Sequence, residues 1–259
     1  MGASYPFTSA LVTGASSGIG EELTRQLVAA GVPVVAVARR ADRLDALAAE
    51  LGGVEVLVAD LATPVGHDAV AARIADDERP VELVVNNAGF GTSGAFAELD
   101  VDRLSGEIAV NVTALTRLSH AALVAMTPRG RGWLLNVSSF ASFQPAPRLA
   151  VHAATKAYVT SLSESLHEEA GDSGVVVTAL CPGLVHTEFQ QVSNSGRYQA
   201  NLPGFVWVDV ADVCTAALEA VAKGRALVVP GALYKGASWA VNITPRWLRR
   251  AASGMVQRD

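Results

Sequence analysis

One feature narrows the fold more than any other: short, continuously apolar runs alternate along the chain with longer stretches of helical period. The runs lie at Ala10–Thr13, Val34–Ala38, 54–59, 83–85, 133–137, Val175–Leu180 and 226–229. Strands that are apolar on both alternate positions suit a sheet covered on both faces, as parallel sheets are. Between them, Leu23, Leu27 and Ala30 recur at helical spacing and stop at Gly31. Leu44, Leu47 and Leu51 stop at Gly52, and Val159, Leu162 and Leu166 mark a helix that ends by Gly171. Strand–helix alternation over the whole length predicts a doubly wound α/β fold of Rossmann type. The expectation is a mostly parallel seven-stranded sheet with helices on both faces, in one domain over 1–259.

Composition removes several functions. The chain has 259 residues, 50% hydrophobic and 17% charged, enough to bury a large core. Its net charge of -5 argues against a nucleic-acid-binding face. No stretch is apolar for the length of a bilayer crossing, so no membrane span is expected. The first residues lack the basic and apolar regions of a secretory leader, so no targeting signal is expected, and two cysteines without a disulfide framework make a reducing cytoplasm the expected compartment. Cys181 and Cys214 make no disulfide framework. His67, His120 and His167 have no partners at metal-ligand spacing, so no metal is predicted.

The first apolar run leads into Thr13-Gly14-Ala15-Ser16-Ser17-Gly18-Ile19-Gly20 and then a helix. Glycines there permit a tight turn and let backbone N–H groups approach a pyrophosphate, and the helix N-terminus adds partial positive charge. Strand before, helix after and an N-terminal position are the context such a loop requires. Gly14, Ser16, Ser17, Gly18, Ile19 and Gly20 are therefore read as cofactor-binding. The second run ends in Ala38-Arg39-Arg40 with no carboxylate at the strand end. Arg39 and Arg40 suit a 2′-phosphate, so NADP(H) is expected, with NAD(H) the lesser choice. Asp42 sits where a helix N-cap would sit. Asp60-Leu61 and Asn87-Ala88-Gly89 follow the third and fourth strands, at the sheet edge where open α/β sheets bind ligands.

Two regions break the rhythm. Residues 190–208 read as a lid or substrate loop, with Asn194, Ser195, Gly196, Tyr198, Pro203, Gly204 and Phe205. The tail at 234–259 sets Trp239, Ile243, Trp247 and Leu248 beside Arg246, Arg249 and Arg250. It is expected to pack on the body or another subunit rather than on a membrane surface.

Taken together, these residues resemble the short-chain dehydrogenase/reductase family over nearly the whole chain. The resemblance rests on the glycine segment at 13–20, Asn86-Asn87-Ala88-Gly89, Asn111, Asn136-Val137-Ser138-Ser139, Lys156 and Pro182-Gly183-Leu184-Val185-His186-Thr187. It implies interconversion of a carbonyl and a secondary alcohol by hydride transfer. Asp60 would contact the adenine edge and Leu61 its face, while Asn87, Ala88 and Gly89 would line the adenosine ribose. Asn111 would hold a relay water, Ser139 would polarise the carbonyl and Lys156 would bond the nicotinamide ribose. Pro182 and Gly183 would belong to the cofactor site, and Val185 and Thr187 would hold the nicotinamide carboxamide. A homodimer or homotetramer is implied as well.

One position departs from the family pattern. Relatives carry a tyrosine thirteen residues after the serine and four before the lysine; here the residue is His152. Spacing of four still sets it on one helix face with Lys156. The neighbouring cation disfavours a second positive charge, so a neutral imidazole is expected, able to polarise a carbonyl but a poor proton donor. Three readings follow: a working oxidoreductase with His152 in the acid position, a cofactor-binding protein with little or no turnover, or a variant that lost its tyrosine. Phe90, Phe140, Phe143, Phe189, Tyr198 and Phe205 favour a small hydrophobic alcohol or ketone. Trp207 is read as core, and His186 as a lesser candidate for substrate contact.

Overall fold

The computed structural model describes residues 5–250 apart from 195–202 and 246. Its strands are β1 (Ala10–Thr13), β2 (Val34–Ala38), β3 (Val54–Val58), β4 (Leu83–Asn86), β5 (Gly132–Val137), β6 (Val175–Leu180), β7 (Leu184–Val185), β8 (Trp207–Val208) and β9 (Leu227–Val228). Seven of them form one sheet in the order β3-β2-β1-β4-β5-β6-β9. Every pairing in it is parallel, with Ala10 opposite Val34 and Leu83, and Asn86 opposite Asn136.

The continuous apolar runs are explained by the two cores. Alternate residues of each strand point to opposite faces. Val12, Val34, Ala36, Val85 and Leu135 pack against Leu23 and Leu27 of α1 (Gly18–Ala29) and Val213, Ala217 and Val221 of the late helix over Val210–Ala222. Their neighbours Leu11, Val35, Val37, Val84 and Leu134 face the other way. There they meet Val70 and Ile74 of α3 (Pro64–Ile74), and Leu118, Ala122 and Met126 of α5 (Leu115–Met126). α2 (Ala41–Leu51) and α6 (Ala150–Ala170) complete the helical layers.

α4 (Val101–Ile108) runs into α5 through a π turn over Ala109–Ala114. The whole run, Val101–Arg129, is long and apolar enough to cross a membrane by length and composition alone. Here its Leu118–Met126 side lies in the core beneath the sheet.

Strand order reverses between β1 and β4, which opens a crevice at their carboxyl ends. A buried polar ladder fixes that end of the sheet. Asn86 Nδ2 donates to Asn136 Oδ1 at 2.9 Å and to Ser119 Oγ at 3.1 Å, and Asn136 Nδ2 donates to Ser163 Oγ at 3.0 Å.

Several expectations change. The 190–208 segment is not loop throughout: Phe189–Val192 forms a helical turn, α7, and β8 pairs with β7. Ser195, Gly196 and Tyr198 fall outside the described residues. The Val210–Ala222 helix is α8, and the tail begins with α9 (Ala232–Ile243). Tyr234 is buried against Gly183, and Arg249 donates to the Phe143 carbonyl at 3.0 Å. Trp239, Ile243, Trp247 and Leu248 do not pack on the body; all four are exposed. Arg246 and residues 251–259 lie outside the described residues. Trp207 is half-buried on β8, not core, and stacks on exposed His186 with ring centroids 3.8 Å apart. Asp42 lies in the first turn of α2, whose N-cap is Arg40.

Candidate active site

Residues from both halves of the sheet meet in one cavity of about 710 Å³ along the crevice. Gly14, Ser16, Ser17, Gly18 and Ile19 line its floor, with Arg39, Arg40, Asp60, Leu61, Asn87, Ala88 and Gly89 on one side. Ser139, His152, Lys156, Pro182, Gly183, Val185 and Thr187 line the other. Gly20 and Asn111 sit just behind this lining.

The glycine loop is built for a phosphate. Gly14 has φ +68°, and a Cβ there would stand 2.8 Å from Asn87 Nδ2 and 3.0 Å from the Ala88 Cα. Ser17 caps α1 without a hydrogen bond from its side chain to the helix's own N–H groups, which leaves the first-turn N–H groups for another acceptor. Thr13 Oγ1 accepts from the amides of Asn87 at 2.9 Å and Ala88 at 3.0 Å, tying the loop to β4. Asp60 Oδ1 accepts from the Ala62 amide at 3.0 Å, and His67 Nε2 lies 2.9 Å from the carbonyl of buried Leu61. His67 is thus a structural residue.

At the end of β2 the two arginines differ. Arg39 is exposed and makes no hydrogen bond or ion pair among the described residues. Arg40 folds over the glycine loop, donating to Ser16 Oγ at 2.9 Å and Ser17 Oγ at 2.9 Å. Its Nη1 also meets Glu188 Oε2 at 2.9 Å, and Arg43 meets Glu188 Oε1 at 2.5 Å. Those two guanidiniums hold the Glu188 carboxyl below the usual carboxylate range.

The reacting end combines β5 and α6. Ser138 is buried and donates to the Lys156 carbonyl at 2.8 Å, so it is a brace. Ser139 faces the cavity, with Oγ accepting only from the Ala141 amide at 3.1 Å. Lys156 Nζ donates to the Val137 carbonyl at 2.7 Å, and burial lowers its ammonium from 10.5 to about 8. Asn111 sits in the π turn. Its amide donates to the Phe90 carbonyl at 2.8 Å and to Thr155 Oγ1 at 3.1 Å, and its oxygen accepts from the Phe90 N–H at 3.1 Å. A π turn is often found at functional sites, and this one aims Asn111 between two helices and the loop after β4.

His152 is 5% exposed, beneath Phe189, with ring centroids 5.1 Å apart. Burial first, and then Lys156, lower its pKa from 6.5 to about 3, so the imidazole is neutral at every physiological pH. Its Nδ1 lies 3.9 Å from Oε1 of Glu107, a fully buried carboxyl on α4. Tyr158, the tyrosine closest in sequence, is exposed, and its hydroxyl pairs with Thr116 Oγ1 at 2.8 Å.

Phe90, Phe140 and Phe189 line the cavity as expected. Phe143 instead packs on Phe140, Phe205 is exposed, and Tyr198 lies outside the described residues. His186 points outward and away from the cavity lining. Sequence reading missed Arg103, Glu107, Glu188, Gln190 and Tyr234. Of these, Gln190 fell in the segment read as a substrate loop, whereas Glu107, four residues before Asn111 on the same helical run, gave no sign of facing inward.

A family model for the short chain dehydrogenases matches residues 8–197. Serine 3-dehydrogenase of Agrobacterium fabrum is 33% identical over 193 residues, 74% of this chain and 77% of that one. A short-chain dehydrogenase from Sphingobium yanoikuyae, solved in complex with NADPH, matches with a TM-score of 0.82 and 33% identity over 97% of this chain and 96% of that one. A bulky-bulky ketone specific alcohol dehydrogenase from Comamonas testosteroni matches with a TM-score of 0.79 and 30% identity, covering 97% and 94% of the two chains. The chain is therefore an oxidoreductase of the short-chain dehydrogenase family.

Proposed function

We propose that the protein is an NADP(H)-dependent oxidoreductase that interconverts a small hydrophobic ketone or aldehyde and its alcohol, with His152 in the acid position. The observation that carries this is the convergence of His152, Ser139 and Lys156 in the same cavity as the glycine loop. A binding protein without chemistry has no need of a cavity-facing serine and a buried lysine beside the loop.

The residues fit the cofactor. Close packing around Gly14 and Gly18 and the open first turn of α1 suit a pyrophosphate, and Arg39 and Arg40 suit a 2′-phosphate. Bound there, the dinucleotide supplies a hydride and its electron pair. Ser139 Oγ, with only one hydrogen bond, is left to donate to the substrate oxygen. Lys156 adds a positive charge that stabilises the alkoxide as it forms. Phe90, Phe140 and Phe189 exclude water and favour an apolar substrate. Asn111, satisfied by Phe90 and Thr155, positions the loop after β4 rather than acting on substrate directly.

Two side chains must give way as the cofactor enters. Gln190 Nε2 donates to the Val185 carbonyl at 2.7 Å and its Oε1 accepts from the Thr187 amide at 3.1 Å. Its amide thus occupies main-chain groups of the two residues assigned to the carboxamide. Glu188 likewise competes with the 2′-phosphate for Arg40. Glu188→Gln is expected to tighten NADPH about threefold to tenfold and leave NADH unchanged, as removal of one partly exposed charge should. Fluorescence titration with both cofactors checks this, and equal effects on the two would refute the 2′-phosphate assignment.

The function itself is tested by following NADPH oxidation at 340 nm with a panel of hydrophobic ketones and aldehydes. We expect turnover by the native protein, and a loss of about 10²–10⁴-fold in His152→Phe, the usual worth of a general acid. Turnover only in His152→Tyr would show that the native chain binds the cofactor without using it. Homodimers or homotetramers belong to the same reading, and sedimentation decides between them.

A further inference from the structure

Where His152 lines the cavity, four buried polar atoms lack a partner at hydrogen-bond geometry among the described residues: His152 Nδ1, both carboxyl oxygens of Glu107 just behind it, and the Thr92 hydroxyl, which also faces Glu107. The His152 and Glu107 side chains are 7% and 0% exposed and face each other across 3.9 Å. A buried polar group without a hydrogen bond is costly, and native structures seldom keep several together without use. Catalytic contacts are commonly long until substrate is bound, and the 3.9 Å separation is of that kind.

The surroundings say which form the pair takes. The groups facing Glu107 are His152, the Thr92 hydroxyl and amide, and the cations of Lys156 and Arg103. Thr92, Lys156 and Arg103 favour the carboxylate, yet burial outweighs them and raises the carboxyl from 4.5 to about 7. His152 faces Lys156, Glu107 and the Phe90 backbone, and stays neutral. Between about pH 3 and neutrality the pair therefore holds mostly a carboxylic acid against an uncharged imidazole.

We propose that Glu107 is the proton partner of His152, its carboxyl protonating Nδ1 as the Nε2–H of the same ring protonates the substrate oxygen. This rests on the reading of His152 as the group that meets the substrate. It answers a difficulty in that reading. A neutral imidazole that gives up Nε2–H alone is left as an imidazolate, and the imidazolium route is closed by burial and Lys156. With Glu107 the steps balance. A hydride from a reduced nicotinamide forms the new C–H bond, the carbonyl π bond breaks, and its electron pair goes to oxygen. Oxygen takes the Nε2 proton, and that N–H pair stays on the ring. Nδ1 takes the Glu107 proton, and that O–H pair stays on the carboxylate. After the alcohol leaves, a solvent proton enters at Nε2 through the cavity and Nδ1 returns its proton to Glu107. One solvent proton is consumed per turnover. Glu107 acts through His152 and is a positioning residue in this scheme, setting the tautomer and refilling it.

The first test needs neither cofactor nor turnover. Nitrogen-15 signals of the His152 ring are followed from pH 5 to pH 9 in the free protein. The expected result is an Nε2–H tautomer at low pH that converts to Nδ1–H near the pH at which Glu107 ionises. In Glu107→Gln the side-chain amide donates to Nδ1 throughout and the conversion disappears. A ring tautomer that stays constant across the range in the native protein overturns the proposal. The second test is kinetic. Glu107→Gln is expected to lower kcat about 10²-fold with KM within about threefold, and to abolish the decline in rate above neutral pH. In a His152→Tyr background the same change is expected to cost less than about threefold, because the phenol does not draw on Glu107. Equal losses in both backgrounds would mark a purely structural role and overturn the proposal. If the native protein turns over nothing, the functional reading fails on its own, and the tautomer titration still decides the pairing.

Discussion

Gly20→Ala is expected to lower stability by about 2–3 kcal/mol, the cost of overpacking a fixed site, and to abolish measurable NADPH binding in the same step. A Cβ at position 20 would be driven into the Gly14 carbonyl oxygen and Asn87 Nδ2. Neither can retreat. Gly14 is held at φ +68° in the turn, and Asn87 Nδ2 is fixed by its 2.8 Å bond to the Thr13 carbonyl. The helix would have to shift away from the loop, taking with it the first-turn N–H groups assigned above to the pyrophosphate. Gly52 is the control. It also has positive φ, at +65°, but an added Cβ meets nothing within 4 Å. Alanine there should cost about 1 kcal/mol through backbone strain alone and leave the cofactor site untouched. Thermal melts paired with NADPH fluorescence titration separate the two. Native-like binding by Gly20→Ala would show that the loop is not the phosphate site.

The contrast between these glycines bears on what a sequence reveals. The sheet was legible because each strand is apolar on both faces: β1, β2 and β6 span the same residues as their apolar runs, and the others differ by a residue or two. The glycine loop and the Ser139–Lys156 spacing were legible because their geometry depends on local order. Glu107 was hidden by phase. An ordinary helix reading would bury Ile108 and expose a glutamate, yet Ile108 is 45% exposed and Glu107 is 0% exposed. Leu104, Glu107 and Asn111 share the inward side, and the π turn that follows resets which residues face in. The Glu188 bridge to Arg40 and Arg43 joins segments about 145 residues apart and has no local trace. In the tail, aromatic composition suggested packing. Composition carries no direction, and α9 turns Tyr234 inward and Trp239 outward.

The stability of the protein should carry the signature of Glu107 as a function of pH. Its folded value, about 7, lies above the unfolded 4.5. The folded state therefore keeps a proton that the unfolded chain has already released. The contribution of this group is complete below pH 4.5, declines between 4.5 and 7, and is constant above. The shift corresponds to about 3 kcal/mol. Glu107→Gln does not titrate, so its stability relative to the native protein should rise by most of that amount between pH 5 and pH 8. His152 pulls the other way. Its folded value, about 3, lies below the unfolded 6.5, so its contribution is complete above pH 6.5 and is lost as pH falls. That term is common to both proteins and cancels in the difference, whereas the native profile alone would look flatter than either group makes it. Urea denaturation of the two proteins at matched pH values makes the comparison. A gap that does not change between pH 5 and pH 8 would mean that Glu107 is already ionised in the folded state. In that case the proton His152 needs would have to come from elsewhere. A gap that opens between pH 5 and neutrality would locate a stored proton on Glu107, behind His152, kept there at a cost in stability. Burial cost of that kind is characteristic of groups arranged for chemistry rather than for folding.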